Sequence, residues 1–325
     1  MYRINNRLVF AGALSVVLGL TQQVVGAAGL SGQLLFVDDD GAQSPGALRT
    51  IQEAVTQATR GATIVVCPGT YRKTVEISGH DKDGLRVIAL GGQDEVVLQG
   101  DHTEAHGFHL AEVDLVLIRG FTVRDFGNQR TTATEFGWGS GFYLENAHYN
   151  TIEHNRVTKT DLAGIILSGS GNNLVRYNFV FETDPTGFGC GIYLEGKKSA
   201  NNVVFQNYVH RQSGAGIHLG SAGPGNLILD NNSSNNGDSG ILHQSTEGTW
   251  IEGNRFSYNA GGWGVSPLGQ GPSVRIRLQK SNKVTVFDNK VRGNTAFDIS
   301  WDKSGEITFA NNACDTADQP GLCVR

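Results

Sequence analysis

The chain has 325 residues, 39% of them hydrophobic and 18% charged, with a formal net charge of −5. That hydrophobic share excludes a disordered chain, and Lys and Arg scattered through a net-acidic sequence argue against a nucleic-acid partner or an anionic membrane surface. With 44 Gly against 7 Pro, the composition fits many short strands joined by tight corners, because Gly adopts backbone angles that other residues avoid.

The chain opens with Arg3 and Arg7, an uncharged apolar run from Leu8 to Leu20, and the small residues Gly26, Ala27 and Ala28. This pattern reads as a signal peptide over residues 1–28. The apolar run is shorter than the ~20 residues a membrane-spanning helix needs. The remainder, 29–325, is therefore expected as one exported domain, secreted or periplasmic, monomeric and free of the membrane once cleaved. Next, Ser44-Pro45 precede apolar residues at Leu48, Ile51, Ala54, Val55 and Ala58, a helical spacing that predicts a helix over Ala47–Arg60. Such a helix would cover strand edges at the open end of the coil that follows, acting as an N-terminal cap. Irregular strands are expected around Ile64-Val65-Val66 and Leu85-Arg86-Val87-Ile88.

From there on the sequence repeats. Gly or another small residue precedes an apolar-x-apolar triplet at Phe108-His109-Leu110, Phe142-Tyr143-Leu144, Ile165-Ile166-Leu167 and Ile192-Tyr193-Leu194. The series continues at Ile217-His218-Leu219, Ile241-Leu242-His243, Ile276-Arg277-Leu278 and Phe297-Asp298-Ile299. Between triplets an apolar residue is followed three later by Asn, at Asn155, Asn178, Asn207, Asn231, Asn254, Asn289 and Asn312. No helical period separates these segments, so they are not βαβ units. Strands of three to five residues that recur about every 25 positions build a solenoid, each strand stacking in parallel on its counterpart about 4.8 Å away. A fixed Asn at one corner can bond to the Asn above and below, and Asn also tolerates left-handed backbone angles. The expected fold is all-β: a single-stranded, right-handed parallel β-helix with an N-terminal capping helix.

Three segments carry a resemblance. Val37-Asp38-Asp39-Asp40-Gly41, Thr50-Ile51-Gln52-Glu53-Ala54 and Cys67-Pro68-Gly69-Thr70-Tyr71 resemble the opening of the pectin-lyase-like β-helix superfamily. The repeats after residue 107 resemble its short parallel β-helix repeats, also found in NosD-like proteins. The resemblance implies a fold more than a reaction, since such proteins include lyases, hydrolases, epimerases, esterases and non-enzymes.

The middle residue of each triplet points outward, which stacks His109, Tyr143, Ile166, Tyr193, His218, Leu242, Arg277 and Asp298 into one column. Two His, two Tyr, an Arg and an Asp are unusual for a solvated strand face, although cross-strand stacking alone also favours aromatics there. Tyr193 and His218 are expected roughly 5 Å apart. Each can act as acid or base on a sugar ring, with Arg277 neutralising a uronate carboxylate. Tyr193, His218, Arg277, Tyr143 and His109 are thus the candidate catalytic residues. The column is similar to the Tyr/His sites of mannuronan epimerases. Their Asp-Pro-His-Asp signature is not matched, because the nearest segment here reads Asp184-Pro185-Thr186-Gly187.

Insertions at 126–140 and 259–273 bring Trp138 and Trp263 next to column strands as candidate sugar-stacking residues. With Glu145, Glu195 and Asp298 they form the candidate substrate-binding set. No cofactor is required by these residues; calcium is an option the resemblance raises, with Glu145 and Glu195 as partners. No metal site is expected, and the cluster Asp101, His102, Glu104, His106 and His109 reads as solvated turns. His243 falls at an inward position unless a bulge turns it beside His218. Cys314 and Cys323 could staple the C-terminus, while Cys67 and Cys190 read as buried thiols. The function these features point to is a lyase or C5-epimerase acting on an acidic polysaccharide. Two alternatives are a non-catalytic glycan- or metal-binding accessory protein, and a small-molecule isomerase or cyclase using the same face as a closed pocket.

Overall fold

A computed structural model describes residues 32–92, 94–127, 139–183, 189–259, 274–293 and 297–324. The expected signal peptide lies outside the described residues, as do Trp138, Trp263 and the Asp184-Pro185 segment.

Short strands wind into three parallel sheets of eleven, nine and ten strands. One coil shows the rule. Ala163–Ser168 lies in the nine-stranded sheet, Leu174–Arg176 in the eleven-stranded sheet and Phe179–Phe181 in the ten-stranded sheet. The chain then returns to lay Cys190–Glu195 on Ala163–Ser168, pairing Ile192 with Ile165 and Leu194 with Leu167. The flanking triplet residues face inward and are fully buried, so one apolar core runs the length of the solenoid. Where Gly precedes a triplet it has a steric reason. A Cβ at Gly164 would collide with Val180 Cγ1, and one at Gly191 with Val209 Cγ1.

The Asn ladder forms as expected. Asn207 Oδ1 accepts from the backbone N–H of Asn178 at 3.0 Å, and its Nδ2 donates to Val175 O at 2.9 Å and to Asn231 Oδ1 at 3.0 Å. The left-handed angle, however, belongs to the residue before each ladder Asn: His154 (φ 55°), Tyr177 (φ 56°) and Gln206 (φ 50°). Asn is therefore required at this corner for its side-chain donor and acceptor, not for its backbone. A second ladder at the preceding corner, Asn150–Asn173–Asn202–Asn226, was not singled out in the sequence.

Two expectations are corrected. The helix spans Ile51–Gln57, not Ala47–Arg60, because Thr50 and Glu53 form a capping box that fixes its start. Its buried residues Ile51, Ala54 and Val55 face the strands Leu34–Val37, Thr63–Val66 and Val75–Ser78. The last triplet is also out of phase. Arg277 pairs with Ser300 and Ile276 with Ile299, so Ser300 occupies the outward position. Asp298 is only 1% exposed and accepts the backbone N–H groups of Asp315 and Thr316 at 2.8 and 3.1 Å. It ties down the C-terminal segment and is not part of a substrate surface. Cys314 and Cys323 form a disulfide, and Cys67 and Cys190 are buried cysteines outside it.

Candidate functional site

The outer face of the nine-stranded sheet carries, in register, Glu76, His109, Tyr143, Ile166, Tyr193, His218, Leu242, Arg277 and Ser300. The column is not uniform. Ile166 and Leu242 are buried and cluster with Ala163, Cys190 and Ala215, with Tyr143 and Tyr193 packed against them. This apolar patch divides the polar side chains into two groups.

The central group holds Tyr193 and His218. Their rings stack with centroids 4.7 Å apart at 16°. His218 Nδ1 lies 3.8 Å from the Cys190 thiol. Burial in the apolar patch depresses the His218 pKa to about 4, opposed in part by the Gln244 side chain, which favours the protonated ring. Burial, then the nearby Glu195 carboxylate, pushes the Tyr193 phenol above its usual range. At neutral pH the pair is therefore an unprotonated imidazole beside a protonated phenol. One can take a proton while the other gives one.

Gly220 provides the space between them. The neighbouring outward column runs Glu145, Ser168, Glu195, Gly220, Gln244 and Gln279, so a side chain is missing only beside Tyr193 and His218. A Cβ at Gly220 would sit 3.0 Å from the Tyr193 hydroxyl and 3.5 Å from His218 Nε2. Both atoms thus border the space left by Gly220, where His218 Nε2 is buried and makes no hydrogen bond.

Arg277 lies two strand spacings beyond His218, about 10 Å along the axis. Its Nη1 is 3.6 Å from Asp238 Oδ1, and with the Gln279 amide turned to face it, Nε and Nη2 each donate to Gln279 Oε1 at 2.9 Å. Burial raises the Asp238 pKa, and Arg277 and Ser239 partly offset this.

The second group sits at the other side of Ile166. His106 stacks on Tyr143 at 4.4 Å and 14°, and its Nδ1 is 2.9 Å from Ser140 Oγ. Burial lowers the His106 pKa to about 4, with His109 adding to the effect. His109 itself bridges two carboxylates, with Nδ1 2.8 Å from Glu76 Oε2 and Nε2 3.4 Å from Glu145 Oε2. Tyr143, whose pKa is raised by burial, lies two spacings from Tyr193.

The structure thus brings Tyr193, His218 and Glu195 together and groups His109 and Glu145 with Tyr143, which packs on the same apolar patch as Tyr193 and feels the Glu195 carboxylate. Gly220, Cys190, Asp238 and Gln244 were missed in the sequence. Gly220 alone had a legible signal, as the one gap in the second outward column. His243 points inward without a bulge, aligned with Leu219 and Leu278, and its two ring nitrogens lie 2.7 Å from Ser281 Oγ and 2.9 Å from Thr249 Oγ1. The His/carboxylate cluster at 101–109 is dispersed: His102 faces Asp161 at 3.7 Å while Asp101 accepts from the Thr103 N–H.

Residues 120–276, just under half the chain, match the family of the periplasmic copper-binding protein NosD. No curated protein matches. Among solved structures, the A-module of a mannuronan C-5 epimerase from Azotobacter vinelandii is 17% identical, with TM-score 0.51, over 75% of this chain and 71% of that one. Pectate lyase Pel9A is 16% identical, with TM-score 0.54, over 90% and 81%. The enzymatically active domain of tailspike protein 2 from bacteriophage CBA120 is 13% identical, with TM-score 0.67, over 88% of this chain and 43% of its own. At these identities the likeness is one of fold.

Proposed function

We propose that this chain, which belongs to the right-handed parallel β-helix superfamily, is an exported carbohydrate-active enzyme that cleaves a uronate polysaccharide by β-elimination at Tyr193 and His218. The observation that carries the reading is the stacked, oppositely poised pair bordering the Gly220 notch. His218 takes the C5 proton of a uronate, electrons move into a C4–C5 double bond, and the C4–oxygen bond breaks as Tyr193 protonates the leaving oxygen. Both groups rise from one face of one sheet, so they reach a sugar ring from the same side. That arrangement suits syn elimination better than epimerisation, which needs proton exchange across opposite faces of the ring. Arg277, about 10 Å further along the axis, holds the carboxylate of a neighbouring sugar, and Glu195 orients the Tyr193 hydroxyl.

The test is incubation with alginate and with polygalacturonate, each with and without calcium, following the ultraviolet absorbance of unsaturated ends and the C5 configuration by proton NMR. Unsaturated ends that disappear in His218→Ala support the reading. Altered C5 stereochemistry without cleavage replaces it with an epimerase.

The match to a copper-binding family favours a second reading, a binding module without chemistry. The donors do not fit a copper centre. Copper prefers soft or imidazole ligands, and among the described residues the one group of three close ligands is the all-carboxylate Asp38, Asp39 and Asp40. Cys190 and His218 offer a sulfur–nitrogen pair at 3.8 Å but no third ligand within that group. Glycan binding by a chain with no turnover in either assay would establish this second reading.

A further inference from the structure

The outer face of the ten-stranded sheet lies away from the Tyr193–His218 notch and plays no part in the elimination. One of its outward columns runs, in register, Arg156, Phe179, Tyr208, Asn232, Arg255 and Lys290. The parallel column ends on Ser257 and Arg292. From Arg156 to Lys290 is five strand spacings, about 24 Å. Neither column contains a carboxylate over that length, although Asp and Glu outnumber Lys and Arg in the whole chain, 31 to 26.

Two features mark this strip as a binding surface. Arg255 and Lys290 stand directly opposite each other on adjacent strands, with Arg292 beside them, and the three line a shallow cavity of about 240 Å³. Like charges placed directly opposite destabilise a sheet, and these three make no ion pair with any described residue, including Asp230 and Asp288 at the adjoining corner. A bound anion would relieve that repulsion. Further along, Phe179 and Tyr208 stack at 4.9 Å and 13°, and the Arg156 guanidinium lies 4.6 Å over the Phe181 ring. Tyr208 is exposed and Phe179 half-buried. Arg156 is paired with Asp94 at 3.8 Å, but from Phe179 to Lys290, about 19 Å, flat rings are followed by the unpaired cations Arg255, Lys290 and Arg292, which matches a polymer whose units carry both an apolar ring face and a carboxylate.

We infer that this face is a second, non-catalytic binding surface for an acidic polysaccharide, with Arg255, Lys290 and Arg292 holding carboxylates and Phe179 and Tyr208 receiving sugar rings. The inference rests on the uronate reading of the notch. It makes the solenoid an enzyme that grips one polymer on two faces, which keeps the substrate at hand between cleavage events.

The experiment uses the full chain carrying His218→Ala, so that the probe survives, with fluorescently labelled polygalacturonate and alginate fragments. Substitution of Arg255→Gln, Lys290→Gln and Arg292→Gln together should weaken binding roughly tenfold, the sum of three exposed charge pairs. Binding should also fall with added salt, and neutral dextran should not compete. Tyr208→Ala weakens it independently of salt. Equal binding by the triple variant overturns the inference, as does equal competition by dextran or tighter binding of single-stranded DNA. Circular dichroism confirms that the variants fold. Strip-dependent binding with no turnover by the unsubstituted chain leaves this surface standing and removes the lyase reading. Turnover with no loss of binding in the triple variant does the reverse.

Discussion

Gly220→Ala separates the notch from the fold. The added Cβ would stand 3.0 Å from the Tyr193 hydroxyl, 3.1 Å from its Cε2 and 3.5 Å from His218 Nε2. The tyrosine must yield by a few tenths of an ångström, which the free end of a half-exposed ring can do. Against that strain, replacing a strand Gly with Ala gains roughly 0.5–1 kcal/mol, so net stability should change by no more than about 1 kcal/mol. Catalysis is less forgiving, because the methyl occupies the space where the C4–C5 edge of the sugar must sit. A displacement of about 1 Å at a reacting centre can cost on the order of a hundredfold, or about 2.7 kcal/mol of barrier. The assay pairs kcat/KM for release of unsaturated ends with a urea midpoint on the same preparation. A hundredfold slower enzyme with an unmoved midpoint is expected. Full activity in the variant would show that substrate does not enter the notch, and equal losses of activity and midpoint would show that Gly220 serves folding instead.

The remaining expectations concern protons and ladders. Because the base form of His218 exists above its pKa of about 4, kcat/KM should be flat through neutrality and fall on the acid side only through about 4; an acid limb near 6.5 would mean that the base is another group. Asn207→Ala removes the acceptor for the Asn178 N–H and the donor to Val175 O, both buried. Leaving two such groups unpaired costs about 2–6 kcal/mol, readable by urea titration, and a loss below 1 kcal/mol would contradict the role given to the ladder. His243 has a folded pKa of about 3 against about 6.5 when unfolded. Between those values the unfolded chain binds the extra proton, so this residue removes about 1.4 kcal/mol of stability per pH unit as pH falls. His243→Leu, which continues the column of Leu219 and Leu278, should flatten that acid loss. Near pH 7 it should cost about 1–3 kcal/mol for the Thr249 hydroxyl left without its partner. An unchanged acid slope would refute the assignment.

The sequence by itself determined the solenoid, because its signals are local and repeat. Alternation over three residues is enough to aim Ile192 and Leu194 inward and Tyr193 outward, and an Asn at a constant offset is enough to predict the ladder. Even the Tyr193–His218 contact was legible, since each coil adds one strand and neighbours in a column must touch. What only the tertiary structure decided is what depends on neighbours a coil apart. The capping box, not the Ser44-Pro45 signal, set the helix start. The pairing of Ile276 with Ile299 overruled the apolar Phe297 and moved Asp298 out of the column. Outward residues next to Ile166 lost their solvent and hence their ordinary pKa values. Arg277 acquired Asp238 from the preceding coil, and Gly220 became a notch only because Tyr193 and His218 lean over it. The physical reason is common to all of these. Periodicity fixes which way a side chain points, but desolvation, charge pairing and clearance are properties of the space between coils, and no single coil contains that space.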